Sequence, residues 1–245
     1  MAFDLNIVGV IPARYSSTRL PGKPLEDIGG KSLIQRVYEQ AKKSKLLSDV
    51  IIATDDKRIL SHAEEFGGKA VMTSKRHRSG TDRIVEALKG VKSDIVVNIQ
   101  GDEPFIDPKD IDKALQPLMR DTKLNVSTLC VRMRNNNEVS NPNSVKVVFD
   151  KLNNAIYFSR GVIRYSEKPD VKKNKYFKHI GLYAYRTDFL NKFARTPQSD
   201  LEKAEKLEQL RILEMGEKIK VIVTKNDTMG IDTKEDLIAA RKMAQ

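Results

Sequence analysis

The chain has 245 residues, of which 40% are hydrophobic and 31% charged, and it carries one cysteine, Cys130. A single cysteine excludes an intrachain disulfide and a cysteine-built zinc site; a chain of this length buries ~70–75% of its unfolded surface and needs neither. The formal charge of +11 invites a nucleic-acid reading. However, the basic clusters Lys42-Lys43-Ser44-Lys45, Lys75-Arg76-His77-Arg78 and Lys172-Lys173-Asn174-Lys175 are scattered, tryptophan is absent, and no aromatics are interleaved as stacking platforms. No run reaches the ~18 apolar residues of a membrane span, and Met1-Ala2-Phe3-Asp4 has no basic leader. The chain therefore reads as cytoplasmic, with neither membrane nor nucleic acid as partner.

Strand and helix patterns alternate from the start. A β-branched run at 7–11 reads as a strand and stops at Pro12; helical spacing follows at 32–47, with Leu33, Ile34, Val37 and Ala41 on one face. Strands at 50–53 and 95–99 alternate with helices at 58–66, 81–88 and 108–119, and a further strand follows at 126–131. After about residue 125 the pattern becomes strand-rich, with strands at 145–149, 155–158 and 180–185. A helix at 201–216, a strand at 218–223 and a helix at 234–243 close the chain. This order predicts a single α/β domain over 1–245: a Rossmann-like, mostly parallel sheet with helices on both faces, and a smaller strand-rich lobe at about 125–200. Cys130 falls within a strand, where a buried thiol is expected rather than a nucleophile.

The segment from Pro12 to Leu25 carries the densest chemistry. It follows a core strand directly and places Arg14, Arg19 and Lys23 among hydroxyls, prolines and Gly22, which suits a polyphosphate at the carboxyl edge of a sheet. It is not a P-loop. Gly30-Lys31-Ser32 ends like one, but Leu25 stands where the first glycine is required, so the glycine pair reads as a turn before a helix. G-x-G-x-x-G is missing as well.

Other candidates are weaker one by one. Asn98-Ile99-Gln100-Gly101-Asp102-Glu103-Pro104 sets Asp102 just past a strand, where a carboxylate can face a divalent cation or simply close a turn. Asp232 occupies a similar place, although Asp232 or Thr233 capping the last helix, with Glu235 completing a capping box, is the plainer account of that stretch alone. Ser79-Gly80-Thr81-Asp82-Arg83 opens a helix and fits base or anion contact and ordinary capping equally well. Arg160 follows a strand and suits bidentate recognition of a carboxylate, and His179 and Tyr183 lie at the margin of the strand-rich lobe.

Taken in order, Ile11-Pro12-Ala13-Arg14-Tyr15-Ser16-Ser17-Thr18-Arg19-Leu20-Pro21-Gly22-Lys23-Pro24-Leu25, Ser79 to Arg83, Gln100-Gly101-Asp102-Glu103-Pro104, Tyr157-Phe158-Ser159-Arg160, His179-Ile180-Gly181-Leu182-Tyr183, Leu207-Glu208-Gln209-Leu210-Arg211 and Ile231-Asp232-Thr233 resemble the 3-deoxy-manno-octulosonate cytidylyltransferases, or CMP-Kdo synthetases. The resemblance spans nearly the whole chain and implies a nucleotide-diphospho-sugar transferase-like fold. It implies activation of 3-deoxy-D-manno-octulosonate (Kdo) by CTP to CMP-Kdo and pyrophosphate, for lipopolysaccharide synthesis. It further implies Arg14, Ser17 and Lys23 at the phosphates, Ser79 and Gly80 at the nucleotide, and Mg²⁺ on Asp102 and Asp232. Gln100, Arg160, His179, Tyr183, Glu208 and Gln209 would surround the sugar acid. Arg14, Lys23, Asp102 and Asp232 would act catalytically, and a homodimer would form through the smaller lobe. One stretch departs from the family: Gly161-Val162-Ile163-Arg164 stands where a segment ending Ile-Pro is usual, which leaves another 2-keto sugar acid, 8-amino-Kdo or a sialic acid, as the alternative substrate.

Overall fold

Ile7, Val8, Val10 and Ile11 are each at most 2% exposed because the strand they form, β1 (Ile7–Ala13), has a neighbour on either side. The protein, seen here in a computed structural model, is described over residues 5–16, 20–77, 79–163 and 169–244. It divides into two compact units, one made of residues up to 112, 186–194 and from 228 on, the other of 113–185 and 195–227.

In the first unit, β1 pairs in parallel with β2 (Asp49–Thr54) and β4 (Ile95–Asn98), and β3 (Ala70–Met72) pairs in parallel with β2. Near-continuous Val and Ile in β1, β2 and β4 are what a parallel sheet buried on both faces demands. Helices α1 (Leu33–Ala41), α2 (Lys57–Glu65) and α3 (Gly80–Ala87) pack on these strands, and α6 (Thr187–Arg195) and α9 (Lys234–Met243) complete the unit's main helices. β1 runs through Pro12 to Ala13, two residues past the predicted end. Beyond Val10 it is paired only with β2, and a proline is tolerated on such a locally unpaired side. Helix α1 begins as predicted, with the Ser32 hydroxyl accepting from the Gln35 amide, but it stops at Ala41, not 47. There the Ser44 hydroxyl donates to Asp112, which also accepts the Leu46 amide, so side-chain bonds displace the next helical turn.

In the second unit, β5 (Val126–Arg132) lies between β8 (Phe177–Arg186), antiparallel, and β9 (Ile219–Thr224), parallel. An antiparallel hairpin of β6 (Lys146–Phe149) and β7 (Ala155–Ser159) joins β8 through Lys146. Helix α4 (Pro108–Arg120) carries the chain from one unit's residues into the other's. The mixed, mostly parallel strand set is the predicted fold class. Within the strand-rich stretch the structure adds two unpredicted helices, α5 (Asn136–Ser140) and α6, the second legible in the spacing of Phe189, Leu190 and Phe193. The helix expected at 201–216 is two, α7 (Asp200–Glu205) and α8 (Gln209–Glu214), broken where Lys206 takes φ 55°. Cys130 is fully buried on β5, and desolvation pushes its thiol up to about 12, which leaves it inert. No helix among the described residues is long and apolar enough to cross a membrane.

One glycine governs how closely the end of β1 and the loop after β4 approach. A β-carbon on Gly101 would stand 2.7 Å from the Pro12 carbonyl oxygen, a backbone atom that cannot swing away. Gly101→Ala is expected to cost about 1–3 kcal/mol through this overpacking, a drop of roughly 2–4 °C in Tm per kcal/mol for a chain of this size. A wild-type melting curve would contradict the close approach.

Candidate active site

At the carboxyl ends of β1 and β4 lies an open cleft of about 410 Å³, lined among others by Arg14, Lys23, Gly80, Gln100, Gly101 and Asp102. The segment after β1 folds back on itself. The Tyr15 carbonyl accepts the Gly22 amide at 2.9 Å, and Gly22 sits at φ 74°, a left-handed conformation that glycine adopts without strain. The Arg58 guanidinium lies 3.3 Å over the Tyr15 ring, and Asp56 accepts from that guanidinium. The turn delivers Lys23, at the head of a short 3₁₀ turn (Lys23–Leu25), to two carboxylates. Its ammonium donates to Asp102 Oδ2 at 3.0 Å and to Asp232 Oδ1 at 3.1 Å, across sequence separations of 79 and 209 residues.

Backbone bonding explains why Asp232 arrives there. The Ile231 amide donates to the Asp102 carbonyl at 2.9 Å, and Ile231 is fully buried. The cap of α9 is Thr233, and Asp236, not Glu235, closes the capping box. Asp232 is therefore not needed as the cap, and its carboxylate turns to Lys23. Ser79 caps α3 in a box with Asp82, so the capping account of that segment holds while Gly80 also lines the cleft. Fully buried Arg83 ties α3 to Asp55 and Thr73, the residues that follow β2 and β3. Arg14 donates to the His77 carbonyl at 3.2 Å. His77 in turn bonds Glu86, whose carboxyl is held below the usual range first by the Ser74 amide and then by His77.

The second unit gathers a separate cluster. Thr128 on β5 lies 2.9 Å from both His179 Nε2 and the Leu182 carbonyl. Its one proton serves a carbonyl, so its oxygen accepts from Nε2–H, and His179 Nδ1 is left as an acceptor. The His179 ring meets Phe158 edge-on at 5.1 Å and Tyr183 at 5.2 Å, and Tyr183 stacks on Tyr185 at 5.6 Å. Burial, with a second contribution from the Glu208 charge, raises the Tyr183 phenol well above its normal value. Glu208 pairs with Arg211 at 3.0 Å, and Gln209 is buried at the start of α8. Arg160 donates from Nε to the Glu205 carbonyl and from Nη1 to the Pro142 carbonyl, so its charge is oriented by oxygens that do not neutralise it.

Among the predicted residues, Arg14, Lys23, Gly80, Gln100 and Asp102 thus share the cleft, Ser79 caps the helix beside Gly80, and Asp232 joins through Lys23. His179, Tyr183 and Glu208 form the second unit's cluster. Ser17, Arg19, Arg78 and Arg164 lie outside the described residues. Sequence reasoning gave no role to Thr128, Arg83 or Arg211. A hydroxyl residue amid the apolar run of β5 was the available signal for the first, and an arginine inside a helix's apolar face for the other two.

Burial lowers the His179 imidazole to about 3, so it stays neutral at physiological pH. Its unfolded value is ~6.5, so this residue costs nothing above that pH and destabilises the fold progressively as pH falls from there toward about 3. Its imidazole NMR signals should hold neutral positions from ~pH 8 to ~pH 5. A midpoint near the unperturbed value would refute the buried, neutral state.

Known proteins resemble this chain over nearly its whole length. Residues 8–219 match a family model described as cytidylyltransferase. A 3-deoxy-manno-octulosonate cytidylyltransferase of Thermodesulfovibrio yellowstonii is 50% identical over 245 residues, 95% of this chain and 96% of the relative. A solved CMP:2-keto-3-deoxy-manno-octonic acid synthetase complexed with CTP superposes with TM-score 0.92 at 45% identity, over 97% of this chain and 98% of that one. The 4-diphosphocytidyl-2C-methyl-D-erythritol synthase of Anaerococcus prevotii, at 17% identity and TM-score 0.63 over 98% of each chain, shares the fold alone. The chain belongs to the 3-deoxy-manno-octulosonate cytidylyltransferase family.

Proposed function

We propose that the protein transfers the cytidylyl group of CTP to Kdo, giving CMP-Kdo and pyrophosphate. The observation that carries this reading is the convergence of Lys23, Asp102 and Asp232 beside Arg14, in a chain whose relatives are named for that reaction. The anomeric 2-hydroxyl attacks the α-phosphorus in line. A phosphorus–oxygen bond forms to the sugar as the bond to pyrophosphate breaks, and the hydroxyl proton leaves to solvent. No enzyme-bound intermediate is required, since positioning and charge neutralisation carry such transfers.

The donor set fits Mg²⁺. The Lys23 ammonium stands in for a cation, since one oxygen of each carboxylate already points at a single positive centre. Mg²⁺ commonly takes one or two carboxylates, with phosphates and waters filling its other positions, so Asp102 and Asp232 suffice. When bound, it would neutralise phosphate charge and make the sugar hydroxyl a better nucleophile. Arg14 and Lys23 hold the phosphates and stabilise charge on the leaving pyrophosphate, with Ser79 and Gly80 at the nucleotide. Within the second unit, Gln209 bonds the sugar, and Arg160 pairs with its carboxylate. His179, neutral, accepts a sugar hydroxyl at Nδ1 and carries no proton in the reaction; Tyr183 donates, and Glu208 accepts.

Pairing of two copies through the 125–200 lobe is supported by Leu152 and Ile156, which are 70% and 61% exposed. Consumption of CTP fits a cytoplasmic setting.

The deciding assay is pyrophosphate release with CTP, Mg²⁺ and a panel of Kdo, 8-amino-Kdo and a sialic acid. Preference for Kdo is expected, and clear preference for another acid would replace it as substrate. Asp102→Asn and Asp232→Asn should each lower turnover ~10²–10³-fold in folded protein; near-normal turnover removes that residue from the metal role. Lys23 has to exchange carboxylates for phosphates when the substrates load. Lys23→Met should therefore lower turnover yet tighten Mn²⁺ binding to the nucleotide-free protein, as read by calorimetry. Unchanged or weaker Mn²⁺ affinity would contradict the exchange.

A further inference from the structure

We propose that Arg211 is a positioning residue that fixes the Glu208 carboxylate for the sugar acid, itself clamped by a buried Glu202. The inference rests on the assignment of Glu208 to the sugar acid. Its basis is a chain of contacts within the second unit. The side chains of Arg211 and Glu202 are 7% and 6% exposed, whereas that of Glu208 is 30% exposed. Arg211 Nε meets Glu202 Oε2 at 2.9 Å, and Nη2 lies 3.3 Å from Glu202 Oε1. Nη1 donates to the Thr196 carbonyl at 2.7 Å. With its plane fixed on two sides, the guanidinium directs Nη2 to Glu208 Oε1 at 3.0 Å.

Glu202 is an anchor and not a ligand. One of its oxygens also accepts from Gln198 Nε2 at 3.1 Å and the other from the Ser199 amide at 3.3 Å, the latter within the capping box of α7. The break at Lys206 makes the arrangement possible. In one continuous helix, Glu208 would neighbour Arg211 at three residues' spacing, but Glu202, nine residues back, would stand more than two turns away. The left-handed Lys206, with the Leu207 amide donating to the Glu202 carbonyl, folds α7 back so that both carboxylates reach one guanidinium. Two acids share one base, so Glu208 remains a charged acceptor held from the protein side. Its charge is felt by the Tyr183 and Tyr185 phenols, which sets it beside the aromatic cluster.

A lysine keeps the charge at position 211 but loses the planar fork that meets Glu202, Thr196 and Glu208 together. The test is a double-mutant cycle in the full-length protein with Arg211→Lys, Glu208→Gln and the pair, reading KM for Kdo, KM for CTP, CTP affinity by calorimetry and Tm. The expected result is a rise of about 3- to 10-fold in KM for Kdo in Arg211→Lys, unchanged CTP binding, and little further rise when Glu208→Gln is already present. Equal losses for CTP and Kdo, or a full independent factor in the Glu208→Gln background, would overturn the positioning role. If Arg211→Lys does not fold, Glu202→Gln keeps the shape of the anchor without its charge and should give the same sugar-selective rise; wild-type KM for Kdo in that variant overturns the proposal. A Glu208→Gln enzyme with normal KM for Kdo overturns it through its premise. Wild-type protein that releases no pyrophosphate with any 2-keto sugar acid marks instead the failure of the proposed function.

Discussion

One ammonium group holds the first unit's chemistry together. Lys23 bridges Asp102 and Asp232, and without a positive centre between them two carboxylates so placed would repel. The bridge is possible because Gly101 lets the loop after β4 approach the end of β1, and because the Ile231 amide bonds the Asp102 carbonyl. Each condition is a backbone constraint, so the carboxylates are preorganised before any substrate arrives. The side chains involved are partly solvated, Asp232 by 48%, so the bridge is a way of arranging charge more than a large source of stability.

The second unit solves a different electrostatic problem. Its cluster of His179, Tyr183 and Tyr185 is desolvated enough to keep the imidazole neutral and the phenols protonated. Such groups donate and accept hydrogen bonds without titrating near neutrality, which suits recognition of a polyhydroxylated acid better than proton transfer. Full charges enter beside this cluster at Arg160 and in the Glu202–Arg211–Glu208 network, where carbonyls and a capping amide are among the partners. Buried charge of this kind is costly unless it is paired, and the breaking of one helix into α7 and α8 is what brings both carboxylates to the Arg211 guanidinium.

Much of this was legible in the chain itself. Apolar and β-branched runs marked every strand among the described residues except the three-residue β3, too short to show a pattern. The reading of Gly30-Lys31-Ser32 as a turn before a helix, and of Cys130 as a buried thiol, followed from local chemistry and stands. Boundaries failed at two places: a bond to distant Asp112 ended α1 early, and the left-handed Lys206 split the helix expected at 201–216. Asp232 shows the limit most clearly. Local rules offered Asp232 or Thr233 as the helix cap with Glu235 completing the box; Thr233 is the cap, Asp236 stands in place of Glu235, and Asp232 is left to Lys23.

The sequence by itself determined the α/β alternation, the family and the residue types that can meet a triphosphate and a sugar acid, because these depend on short-range periodicity and on motif order. Only the tertiary structure decided which charges meet. Lys23 lies 79 residues from Asp102 and 209 from Asp232, and Thr128 lies 51 from His179. Hydrogen bonds and ion pairs act over about 3 Å, and nothing along the chain encodes which distant segments will come that close until strand pairing and packing have fixed the backbone.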